Sequence, residues 1–246
     1  MSEFDAPELN SLRLLQTAAP PVPPSSALLA RVNDMRPVRT RVPLLTLVIV
    51  AVAAVVFPTV ALAIYPLRRD LADLPPLWFG TMALVWLAGF IIPLTVAIIP
   101  RRGQVVPDGA RARRTAVLVS LTLVLAGLLL TVDVPGVTIL PATRWAEFGH
   151  LWWHCISFGL KATIPAVIVG AVLMRRLISA HLAGLGAAIG AAAGALSGLV
   201  LHGLCPYGGA VHVGLAHGGG VVIGALLGML WLPLIARIAG RVGRRQ

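Results

Sequence analysis

Charge is scarce in this sequence. Of its 246 residues only 12% are Asp, Glu, Lys or Arg, roughly half the share in a soluble domain. Nine are acidic, and none of these lies deep inside a long apolar run. That argues against a small membrane transporter or channel built on buried carboxylates. Two cysteines without a CxxC pair exclude a disulfide scaffold and the usual zinc-ribbon motifs. A phosphate loop, an HExxH helix and a nucleophile elbow are also missing, so no soluble catalytic motif is present and an enzyme is not expected. The first forty residues are polar with no apolar h-region, so no cleavable signal peptide is expected.

What the chain has is apolar residues in blocks. They make up 58% of the total, with a mean hydropathy of +0.90. About 20 apolar residues at a rise of roughly 1.5 Å each match the hydrocarbon core of a bilayer. Six such blocks are expected at about 42–65, 77–99, 115–133, 152–174, 180–202 and 211–236. The expected fold class is all-α: a polytopic membrane bundle of six transmembrane helices. That bundle covers 42–240, between a short polar tail (1–41) and a basic end (241–246). Tyr65, Trp78, Trp152, Trp153 and Trp231 lie near block ends, where amphipathic rings meet lipid headgroups. The net charge of +11 invites a nucleic-acid reading. The basic residues, however, cluster between apolar blocks without interleaved aromatics, so membrane lipids are the expected partners and direct nucleic-acid contact is not.

Those basic residues set the orientation. All but Lys161 are arginine. Sixteen fall in the tail, the second and fourth loops and the C-terminus, whereas only Arg68, Arg69 and Arg144 fall on the other side. The positive-inside rule then puts both termini in the cytoplasm and requires an even number of spans. Lys161 stands more than two turns inside the fourth block, where a charge faces the bundle interior or snorkels to the headgroups.

Within the tail, Leu9, Leu12 and Leu15 share one side of a short amphipathic stretch. The run Pro20-Pro21-Val22-Pro23-Pro24 separates it from a second short helix, Ala27 to about Met35, which carries Leu28, Leu29 and Val32. Farther on, Gly186, Gly190, Gly194 and Gly198 recur every four residues, as do Gly220, Gly224 and Gly228. Rows of small residues let backbones approach closely in lipid, so segments five and six are expected to pack along them. The same rows also suit the pairing of two copies, which leaves a homodimer open.

Most of the rare polar residues share one membrane face under this topology. His150, His154 and Cys155 sit at the outer start of segment four, His202 and Cys205 at the outer end of segment five, and His212 and His217 at the outer start of segment six. His181 alone among the histidines belongs to the cytoplasmic end. His202 and Cys205, three apart, can share a helical face. His212 and His217, five apart, diverge by roughly 140° on an ideal helix unless the backbone between them is irregular. Imidazole and thiolate suit zinc, copper or iron, so one reading is a transition-metal or haem site, as in a membrane oxidoreductase. A second is a Cys155–Cys205 disulfide or redox-sensitive pair. The plainest is interfacial histidines bonded to backbone and water, with inert cysteines.

The chain resembles the six-helix membrane anti-sigma factors of the negative-regulator-of-sigma-F (NrsF) type. The resemblance rests on Asp34-Met35-Arg36-Pro37-Val38-Arg39 before the first span and on the Cys155 segment. It also rests on Leu201-His202-Gly203-Leu204-Cys205-Pro206, followed by His212 and His217. It implies that the tail binds an extracytoplasmic-function sigma factor, with Leu9, Leu12, Leu15, Leu28, Leu29 and Val32 as contact residues, at the bacterial inner membrane. A metal or oxidative signal at His154, Cys155, His202, Cys205, His212 and His217 would then release that factor.

Overall fold

The computed structural model describes residues 43–100, 107–130, 145–174, 182–207 and 209–242. The chain divides into two units, Met1–Thr40 and Arg41–Gln246, and every described residue belongs to the second. The tail residues Leu9, Leu12, Leu15, Leu28, Leu29 and Val32 lie outside the described residues, as do His181 and the last four residues of the basic end.

The described residues form α1 (Pro43–Ile64), α2 (Pro76–Ile98), α3 (Gly109–Leu129), α4 (Trp145–Met174), α5 (Leu182–Leu204) and α6 (Gly218–Val242). A π-helical turn, His212–His217, leads into α6. No strand occurs among the described residues, in keeping with the expected all-α class. Five stretches are long and apolar enough to cross a membrane: Pro76–Ile98, Gly109–Leu129, Trp152–Gly170, Leu182–Leu204 and His212–Ile238.

Helix starts depart from the apolar blocks where local chemistry overrides hydropathy. The third segment was expected from 115, yet α3 begins at Gly109 and carries Arg111, Arg113 and Arg114 in its first turns. Asp108 moves the start. Its side chain accepts from the amides of Ala110 (2.9 Å) and Arg111 (3.2 Å), supplying an acceptor to donors that have no partner within the first turn. α4 likewise begins at Trp145, before the apolar run expected from 152.

α5 is the centre of the bundle. Its span is 89% buried, whereas the other four candidate spans are between 22% and 39% buried. It packs on α2, α3, α4 and, most extensively, α6. The cause is its glycine- and alanine-rich sequence, which admits neighbouring backbones. A Cβ on Gly186 would stand 2.0 Å from the Gly228 carbonyl oxygen, and one on Gly190 would stand 1.9 Å from that of Gly224. The expected α5–α6 seam along the glycine rows is therefore present. Higher up, the α5 row changes partner: a Cβ on Gly198 would stand 2.4 Å from the Trp86 ring of α2. Gly220 has nothing within 4 Å of where its Cβ would be.

The two ends of the bundle differ in chemistry. At one, the starts of α3 and α5 meet, since a Cβ on Gly184 would touch the Gly109 carbonyl at 1.8 Å. Arg111, Arg113 and Arg114 stand there. The other end gathers the α1–α2 loop, the end of α3, the start of α4, the end of α5 and the π turn. The indole N–H of Trp78 donates to the Leu130 carbonyl at this end.

Candidate thiol and imidazole site

Four side chains from three elements converge at that second end. Cys155 comes from α4, and Cys205 stands one residue past α5, its amide donating to the Leu201 carbonyl at 2.7 Å. His212 and His217 are the first and last residues of the π turn. The sulfurs are 3.9 Å apart, and His212 Nε2 lies 3.4 Å from each. One donor atom from each of the four residues lies within 4.8 Å of every other, and all four residues are buried. Both cysteines are free thiols.

The π turn explains why His212 and His217 meet. Five residues of α-helix would leave them on divergent faces, whereas i→i+5 bonding places them about one turn apart. Their ring centroids are 5.2 Å apart, edge to face. Glycine permits this widened turn to sit against α3. A Cβ on Gly127 would lie 2.7 Å from the Gly214 Cα, and one on Gly214 would lie 2.5 Å from Leu128 Cγ.

These residues fit a tetrahedral metal ion. With metal–sulfur and metal–nitrogen bonds of about 2.3 and 2.0 Å, a tetrahedral site separates two sulfurs by roughly 3.8 Å and sulfur from nitrogen by roughly 3.5 Å. The separations here, 3.9 and 3.4 Å, are already close to those values. Neither buried ring nitrogen of His217 meets hydrogen-bond geometry with another described residue, a cost that coordination of an ion through one of them would relieve in part.

The remaining expected site residues lie elsewhere. His202 turns toward α2: its Nε2 is 3.2 Å from the Phe79 carbonyl oxygen, and its ring stacks on Phe79 with centroids 4.5 Å apart. Cys205, three residues on, faces Cys155 and His212 instead. His154, next to Cys155 on α4, is exposed, and the side chain of His150 lies outside the described residues. Lys161 is exposed on the outer surface of α4 and not in the bundle interior.

Sequence reasoning missed one feature beside the site. Arg68, counted above only as a charge in a loop, forms a two-pronged ion pair with Asp70, Nε to Oδ1 at 2.7 Å and Nη2 to Oδ2 at 2.6 Å. Both residues are buried. The Arg68 guanidinium holds the Asp70 carboxyl below its usual range, chiefly through these hydrogen bonds. The one signal in the sequence was a pair of acids, Asp70 and Asp73, close behind two arginines in a short loop.

Fold and site together define a helical bundle, with five stretches long and apolar enough to cross a membrane and a buried thiol–imidazole group at one end. The chain belongs to the NrsF family, described as negative regulator of sigma F, whose family model matches residues 31–237. No curated protein and no solved structure matches it.

Proposed function

We propose that this chain is a membrane-bound anti-sigma factor with six spans, both ends in the cytoplasm of a bacterium and the cysteine end facing out. α1, 22 residues long and apolar throughout, supplies the sixth span, and the arginine distribution supplies the orientation. Residues 1–41 hold an extracytoplasmic-function sigma factor through Leu9, Leu12, Leu15, Leu28, Leu29 and Val32. Two short segments of this kind fold on a partner at an ordering cost. The inner membrane is the expected location, and regulation, not catalysis, is the expected activity.

Cys155, Cys205, His212 and His217 are the sensor. The observation that carries this reading is the convergence of four buried donors, two of them brought together by a π turn. Thiolate and imidazole donors in this arrangement suit a soft or borderline transition-metal ion, and the same thiols are open to oxidation.

Cobalt(II) is the practical probe, because thiolate-to-cobalt absorption reports directly on the site. The full chain, co-purified in nanodiscs with the sigma factor it retains, should take up one Co(II) per chain and then release that factor. Free energies of about 10–16 kcal/mol shared among four ligands imply that Cys155→Ser or Cys205→Ser weakens loading on the order of a hundredfold. If no sigma factor co-purifies, the regulator reading fails. If the double serine variant still releases it on Co(II), the sensor assignment fails.

A further inference from the structure

We infer that Arg68 is the mechanical link between the thiol site and α1, the helix into which the tail runs. The inference rests on the functional reading above, since it names how the signal at that site travels.

The contacts of Arg68 bracket Cys205 on both sides. Before it in sequence, the Arg68 amide donates to the Gly203 carbonyl at 3.1 Å and Nη1 donates to the His202 carbonyl at 3.4 Å. After it, Nη2 donates to the Pro206 carbonyl at 3.5 Å. The last carbonyls of a helix lack intrahelical partners, and a cation there is favoured by the helix dipole. Arg68 therefore caps α5 and grips the turn that carries the thiol. Asp70 fixes the guanidinium from the other side, and both residues are buried.

The other end of the link is short. Only three residues separate Arg68 from the end of α1 at Ile64, and the Tyr65 amide still bonds back to the Ala61 carbonyl. A tether of that length has little slack to absorb displacement. α1 also meets the site's far wall: Phe57 and Tyr65 contact Phe158 of α4, with centroids 5.9 and 5.7 Å apart. Phe158 stands one turn from Cys155 and packs against the cluster that holds both cysteines. A rearrangement of the Cys205 turn that keeps these bonds carries Arg68 with it and, through the three-residue tether, displaces the end of α1.

The test uses the full chain with its sigma factor in nanodiscs and Co(II) as probe. In the double variant Arg68→Gln with Asp70→Asn, which leaves no lone buried charge, Co(II) loading should persist while metal-driven release falls fivefold or more, as a lost coupling of ordinary size requires. Release at the wild-type level would overturn the link. If the variant does not fold, wild-type hydrogen exchange decides: protection of the Arg68 and Asp73 amides should change on loading, and unchanged protection would overturn it equally. A wild-type chain that neither loads nor releases would instead remove the sensor reading beneath it.

Discussion

The Arg68–Asp70 pair gives the loop between α1 and α2 a specific response to acid. Asp70 lies outside the membrane-spanning segments, and its carboxyl is held below the usual range by the arginine. A depressed carboxylate adds stability above the unfolded-state value of about 3.9, and this contribution disappears as pH falls through the lower folded-state value. Removing one member of a buried pair strands the other and costs on the order of 3–5 kcal/mol. Asp70→Asn should therefore lower the thermal midpoint of the detergent-solubilised chain at neutral pH. The gap from wild type should stay constant down to the ordinary carboxylate range and close only below it. A gap that is already closing at pH 6 would assign the effect to another group. This pair was invisible to residue counting because its value lies in three backbone carbonyls, contributed by residues more than a hundred positions away.

At the scale of elements, the glycine seam was legible in the sequence and the π turn was not. A four-residue glycine repeat has one strong physical meaning in an apolar helix, close backbone approach, and Gly186 and Gly190 do meet Gly228 and Gly224. The His212–His217 spacing pointed only to a conflict: five residues on an α-helix diverge. Its resolution depends on Gly127 and Gly214 admitting a wider turn against α3, a tertiary contact that no local pattern reveals. The same reasoning separates glycines that look alike in sequence. Gly190→Leu forces a side chain into a carbonyl 1.9 Å from its first carbon and should destabilise by at least the roughly 1–3 kcal/mol of an overpacked core. Gly220→Ala, on the partner row, meets nothing within 4 Å and should stay within about 0.5 kcal/mol of wild type. Unfolding in mixed micelles measures both, and equal losses would mean that the seam is not the contact holding α5 to α6.

For the whole molecule, the reading turns on which end of the bundle faces the cell interior. The helical class was readable from block length alone, because a bilayer fixes the length of a span more tightly than a soluble core does. Orientation has a different source. It comes from where the arginines fall along the sequence, and a bundle drawn upside down would pack equally well. The thiols themselves are poor reporters of sidedness, since both are buried. Exposed loop positions serve better. In a chain whose native cysteines are changed to serine, Asp73→Cys stands in the α1–α2 loop beside the site, and Arg114→Cys stands at the exposed start of α3. A membrane-impermeant maleimide should label Asp73→Cys in intact spheroplasts and Arg114→Cys only after lysis. The reverse pattern would put the thiol–imidazole group in the cytoplasm, on the same side as the sigma factor. Residues before α1 would then emerge outside, away from any sigma factor, and the anti-sigma reading itself would fail.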